Sequence, residues 1–159
     1  MGCTEVELRR YRADDLEAIF RLDALCFAEE FRFDRDSMRA FAQAQNAVTI
    51  VAESVEGEVV GFVIAQTELR AEEVRGYVVT LDVAERCRGM GLAKRLMREA
   101  EIRVAAEGAE WMELHVFTGN ERAIRFYERL GYVRIGLSRR FYGKAGLDAF
   151  TYCKDLSAL

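Results

Sequence analysis

Residues 77–95 restrict the folds open to this chain more than any other segment. They open on a β-branched run, Tyr77 to Val83, with the composition of a strand. They close on a helix beginning near Gly91, where Leu92, Leu96, Ala100 and Val104 recur every four residues and make one face apolar. Between them lies Arg88-Gly89-Met90-Gly91-Leu92-Ala93. Its two glycines let the backbone turn sharply and leave no side chain over the amides. The first amides of a helix have no partner within it, and together with the helix dipole they attract an anion, above all a phosphate. Arg88, Lys94 and Arg95 add positive charge. A bare G-x-G also occurs in plain β–α connections, so the loop alone leaves both readings open. Two phosphate loops are excluded: there is no G-x-x-x-x-G-K-[ST], and Lys94 stands where a dinucleotide fingerprint needs its third glycine.

A chain of 159 residues predicts one domain, residues 1–159, and an apolar share of 51% is enough for a sizeable core. The net charge of −4 lacks the basic excess of a nucleic-acid footprint. No eighteen-residue apolar run and no signal-peptide pattern occurs, which predicts a soluble cytoplasmic protein without a membrane partner. Cys3, Cys26, Cys87 and Cys153 lie far apart, and there is a single histidine. That predicts reduced thiols and no metal site.

Along the chain, Val6 to Tyr11 reads as a strand. Asp14-Asp15 offers the cap of a helix carrying Leu16, Ile19, Phe20, Leu22 and Phe27. Phe27, Phe31 and Phe33 in the next connection either plug the core or form a lip over a groove. Asp36 is expected to cap a helix over 37–45. Strands over 47–53 and 58–67 form a hairpin, and residues 68–75 read as a polar loop. The helix after the glycine loop stops at Gly108. The strand from Trp111 to Val116 follows through that helix, so it should run parallel to Tyr77–Val83. Asn120 caps a helix with Ile124, Tyr127 and Leu130 on one side, ended by Gly131. Strands over 133–141 and 148–154 finish the chain, joined by a flexible hairpin loop over 142–147. The order is β-α-α-β-β-β-α-β-α-β-β, an α/β (α+β) mixed sheet with helices on both faces.

The spacing Arg88-x-x-Gly91-x-Ala93 after a strand resembles motif A of the GCN5-related N-acetyltransferases, the GNAT superfamily. Asn120-x-x-Ala123-x-x-x-Tyr127-Glu128-x-x-Gly131-Tyr132 resembles its motif B, in the expected order. The resemblance implies the GNAT fold, with the two central parallel strands splayed apart, and acetyl-coenzyme A (acetyl-CoA) as co-substrate without a metal. It implies pantetheine contacts from the backbones of Leu81 and Val83, and a diphosphate held by Arg88, Gly89, Met90, Gly91, Leu92, Ala93 and Lys94. Asn120 and Tyr127 should lie near the thioester. Three positions depart from the family pattern: Glu85 replaces a proline, Cys87 an aromatic and Ala93 a glycine. Cys87 therefore reads as a substituted aromatic.

Acetyl transfer to an amine needs the amine unprotonated and a proton for the leaving thiolate. An α-amine titrates near ~8 and a lysine near ~10, so a base is needed, and histidine is the side chain best tuned for it. The single histidine, His115, stands where the splayed sheet should open, with Tyr77 on the neighbouring strand. This set resembles the amino-terminal protein acetyltransferases, in particular the NatE-type branch. That resemblance implies Tyr77 and His115 sharing a water as general base, and Tyr127 as general acid. The bacterial ribosomal-protein alanine acetyltransferases are similar but usually place a glutamate at position 115. Glu113, on the same strand face, is a reserve base. Phe141-Tyr142 resembles a tyrosine pair that flanks the peptide terminus in this branch, and Phe27 matches an aromatic of the other substrate loop; plain closure of the sheet edge by these residues stays open. The function implied is acetylation of a protein or peptide amino terminus, by a monomer or homodimer. A lysine, polyamine or small amine as acceptor, and a non-catalytic acyl-CoA-binding module, are the alternatives.

Overall fold

The computed structural model describes residues 3–159, apart from the side chain of Lys144. The elements, in order, are β1 (Val6–Arg10), α1 (Leu16–Cys26), α2 (Arg35–Ala42), β2 (Ala47–Ser54), β3 (Val59–Arg70), β4 (Glu73–Val83), α3 (Leu92–Ala106), β5 (Trp111–Phe117), α4 (Glu121–Arg129), β6 (Val133–Tyr142) and β7 (Leu147–Asp155). This is the order the sequence predicts. The strands form one seven-stranded sheet in the order β1-β2-β3-β4-β5-β7-β6. Every pairing is antiparallel except β4 with β5.

Helix α3 covers one face of the sheet. Its four-residue row, Leu92, Leu96, Ala100 and Val104, is buried against β-strand residues such as Val63, Val78 and Met112. Fully burying such aliphatic side chains contributes about 1.5–3 kcal/mol each for the larger ones. The approach is close: a Cβ on Gly76 would sit 2.8 Å from Met112 Sδ and 2.9 Å from Val104 Cγ2. Helices α1 and α2 cover the other face through Leu16, Ile19, Leu22 and Met38, which meet Val51, Phe62 and Ile64.

Two features of β4 open the sheet. The register jumps from Ile64↔Thr80 to Ala65↔Val78, leaving Val79 as an extra residue. Such a bulge bends and twists its strand. Pairing with β5 then stops at Val78↔Leu114, although β4 runs on to Val83 and β5 to Phe117. Beyond that point the two parallel strands part, the splay the resemblance implies.

Several local expectations are corrected. Asp34, not Asp36, caps α2: its Oδ1 accepts from Ser37 N at 2.7 Å, and Asp36 sits inside the first turn. The expected polar loop over 68–75 is the end of a long hairpin, turning at Ala71 (φ 47) and Glu72 (φ 70). Opposite charges sustain it, because Glu68 pairs with Arg75 across the strands at 2.7 Å. The loop expected over 142–147 is largely a 3-10 turn, Gly143–Ala145. The reduced-thiol expectation also fails. Cys3 and Cys87 form a disulfide with Cα atoms 5.3 Å apart, leaving Cys26 and Cys153 free. At the position where the family pattern has an aromatic, Cys87 is an anchor, fully buried in the turn that leads out of β4.

Candidate functional site

The split between β4 and β5 opens into a cleft of about 1500 Å³. One side is built from backbone. Gly89 (φ 79) and Gly91 (φ 80) adopt the left-handed conformation that favours glycine, and open space lies where a Cβ would project. Arg95 N donates to Gly91 O and closes the first turn of α3, so the amides of residues 92–94 lie at the helix mouth. Leu81, Val83, Arg88, Gly89, Gly91, Leu92, Ala93 and Lys94 all line this part of the cleft. Met90 does not; its side chain is half-exposed to solvent. Arg88 reaches back, donating through Nε to Val83 O at 3.1 Å, and the Cys26 thiol meets the same carbonyl at 3.4 Å. The Val83 carbonyl is thus already engaged. Asn120 lines the cleft while its Oδ1 caps α4 by accepting from Ala123 N at 3.1 Å.

The other side is built from side chains of distant strands. Tyr77 Oη and His115 Nδ1 are 2.7 Å apart. They touch directly, where the resemblance implies a shared water. Burial raises the Tyr77 pKa, so the phenol keeps its proton and can donate to Nδ1. Burial lowers the His115 pKa, so the imidazole is neutral at pH 7. Phe141 stacks on the imidazole, centroids 4.2 Å apart and planes 17° from parallel. Glu113 is not the free reserve base expected. It pairs with Arg75 at 2.8 Å and accepts from Trp111 Nε1 at 3.2 Å. Although burial opposes it, these partners hold its carboxyl below the usual range.

Tyr127 reaches the cleft from α4 and is 9% exposed, its ring packed edge-on to Phe126 and Tyr132. Burial raises its pKa. All three connecting phenylalanines line the cleft, and Phe33 also packs on Phe41 and the α1–α2 core. Phe31 stands over the cleft against Phe117 (5.2 Å) and Tyr142 (4.8 Å), and Phe27 lines it. Burial pushes the Tyr142 hydroxyl up to about 12.

The cleft thus combines a bulged, split pair of strands with an amide cradle at the mouth of a helix. The model of the acetyltransferase (GNAT) family matches residues 16–132. The chain belongs to the GNAT acetyltransferase family. The Arabidopsis thaliana N-terminal acetyltransferase A complex catalytic subunit NAA10 is 31% identical over 151 residues, 94% of this chain and 77% of that protein. The fold matches a crystal structure of the NatC complex bound to Gag peptide and CoA, with a TM-score of 0.86 at 22% identity, covering 97% of this chain and 100% of that one. It also matches Arabidopsis thaliana NAA60 in complex with acetyl-CoA, with a TM-score of 0.84 at 21% identity, covering 95% and 98%. This GNAT protein is an acetyl-CoA-dependent N-acetyltransferase. Its cleft fits that co-substrate: the cradle leaves the volume of a Cβ open at both glycines, and β4 beyond Val78 offers a strand edge that β5 does not cover. Among the described residues no group of side chains could hold a metal ion, and no helix is long and apolar enough to cross a membrane.

Sequence reasoning missed two groups beside this GNAT site. Arg75 bonds both Glu68 and Glu113. Asp23 of α1 and Asp82 of β4 form a buried acid pair. Asp82 Oδ1 accepts from Thr80 Oγ1 (2.7 Å) and Asp23 Oδ2 from Phe33 N (3.1 Å). Asp23 Oδ1 and Asp82 Oδ2 have no donor in the protein. Burial raises both carboxyls, and the two groups act on each other. The signal for this pair was visible: Asp82 is the one acid in the strand Tyr77–Val83.

Proposed function

We propose that the acceptor is the α-amino terminus of a protein or peptide, and that Tyr77 and His115 act together as its general base. The observation that carries this is the 2.7 Å contact between Tyr77 Oη and His115 Nδ1, placed on the two strands that part to form the cleft. The name of the NAA10 relative, an N-terminal acetyltransferase subunit, supports the choice of acceptor.

In this reading the peptide end enters the cleft at its aromatic rim of Phe27, Phe31, Phe141 and Tyr142. Backbone amides around 89–94 hold the diphosphate of acetyl-CoA, Arg88 and Lys94 add charge, and the strand edge at Leu81 aligns its pantetheine arm, the Val83 carbonyl being taken up by Arg88 and Cys26. Tyr77 Oη takes a proton from the ammonium of the peptide as it passes its own proton to His115 Nδ1. The freed nitrogen bonds to the thioester carbonyl carbon, the carbon–sulfur bond breaks, and the nitrogen gives up its remaining extra proton to water, leaving a neutral amide. Tyr127 gives its proton to the departing sulfur and takes one back from water, and Asn120 stands at the start of the same helix, α4. A neutral imidazole at pH 7 is matched to an amine titrating near ~8, and a base so matched contributes on the order of 10²–10⁴ in rate.

The test compares peptides carrying a free amino terminus with the same peptides blocked at that terminus but containing lysine. Mass spectrometry locates the acetyl group. Product on free termini alone is expected. Product on lysines of the blocked set, with none on free termini, overturns the assignment.

A further inference from the structure

Arg75 lines the cleft and no step above uses it. It is 6% exposed, and its guanidinium contacts two carboxylates. Nη2 and Nε bond Glu68 Oε2 at 2.7 and 3.0 Å, and Nη1 bonds Glu113 Oε2 at 2.8 Å. Its Cζ lies 5.3 Å from the centroid of the Tyr77 ring. Glu113 is the partner of Tyr77 in the β4–β5 ladder and sits two residues before His115 on the same strand face.

Arg75 therefore touches one half of the Tyr77–His115 pair and pairs with the carboxylate that acts on the other half. We propose that Arg75 is a positioning residue for this pair: clamped between Glu68 and Glu113, it props the Tyr77 ring against the imidazole and cancels the charge of Glu113 there. This rests on the reading of Tyr77 and His115 as the base. A bare carboxylate beside an imidazole favours the imidazolium, which cannot accept a proton. A cost of this arrangement is that a charged group must be buried, and three short contacts to two carboxylates offset it.

The other groups facing the pair are Glu68 on β3, Tyr142 on β6 and Cys153 on β7, with Arg70 also acting on Glu113. Of these, Glu68 is already tied to Arg75. Burial raises Tyr142 and Cys153, so both stay neutral near pH 7. Glu113 and Arg75 are the charges that act on His115 itself, in opposite directions.

His115 is the only histidine of the chain, so its imidazole signal in a ¹H–¹³C NMR titration needs no assignment. The experiment titrates wild type, Arg75→Met, Glu113→Gln and the double variant. Arg75→Met should raise the His115 midpoint by about one pH unit, and Glu113→Gln should lower it. The double variant should return close to wild type. An unchanged or lowered midpoint in Arg75→Met overturns the proposal. Should Arg75→Met fail to fold, Glu113→Gln decides alone, and an unchanged or raised midpoint there overturns it. The acid limb of kcat/KM should follow the NMR midpoint across the series. If the midpoint moves and the acid limb does not, the coupling stands and the assignment of His115 as base falls, so the two failures are told apart without ambiguity.

Discussion

The two walls of the cleft are built in different ways. The wall proposed to hold the acetyl donor, here the donor wall, is one continuous stretch, β4, its turn and the first turn of α3, and it presents main-chain groups. The wall proposed to take the acceptor, here the acceptor wall, draws Tyr77 from β4, His115 from β5, Phe141 and Tyr142 from β6, and Phe27 and Phe31 from the α1–α2 connection. A backbone cradle depends on conformation and tolerates changes of side chain. A wall assembled from distant side chains depends on each of them. Substitutions should therefore separate the two walls by which kinetic constant they move.

The largest effect should come from the acceptor wall. His115→Ala should lower kcat/KM at pH 7.5 by about 10²–10³. The KM for acetyl-CoA should stay within about twofold, since the cradle is untouched. A large rise in that KM breaks the comparison.

Next comes the anchor of the donor wall. The Cys3–Cys87 disulfide spans 84 residues and ends in the turn before the cradle. Cys3→Ser should cost about 3 kcal/mol of stability, lowering Tm by roughly 10 °C in a calorimetric scan. No change in Tm would show that the bond leaves the fold indifferent.

Gly91→Ala should be milder. A left-handed φ of 80 costs a residue with a Cβ about 1–2 kcal/mol, although there is room for the added methyl. The KM for acetyl-CoA should rise about fivefold to twentyfold while kcat holds. A fall in kcat alone would place Gly91 in the chemistry instead.

The smallest effect concerns pH. Burial lowers the His115 pKa, so in wild type kcat/KM should rise with pH through a midpoint below the ordinary 6.5. The sign follows from the base form, which is the neutral imidazole present above that midpoint. Phe141→Ala should strip the stacked ring, hydrate the imidazole and raise the midpoint by a few tenths of a pH unit. A downward move would mean that Phe141 does not shield the ring.

The same contrast explains what could be read from the chain in advance. The donor wall was legible because its information is local: the Leu92–Val104 row, the two glycines and the Asn120 cap each depend on residues a few positions apart. The pairing of Tyr77 with His115 was reachable only through a family resemblance, and its directness was not. Nothing in sequence spacing says that Glu113 is tied to Arg75, because that contact exists only once β5 has returned parallel to β4. The disulfide was hidden for a similar reason. Whether two cysteines can bond depends on Cα separation and direction, which only the tertiary fold supplies. Small local misreadings, such as Asp36 for Asp34, came from two acids two positions apart, either of which satisfies the capping rule.

The central proposal is that Tyr77 and His115 work as one unit that takes the proton of the amine. A double-mutant cycle on kcat with an amino-terminal peptide measures this directly, using Tyr77→Phe, His115→Ala and the double variant. Groups that act as a unit give strongly non-additive losses, so the double variant should be about as slow as the slower single one. Losses that multiply would show two independent contributions and contradict the shared role.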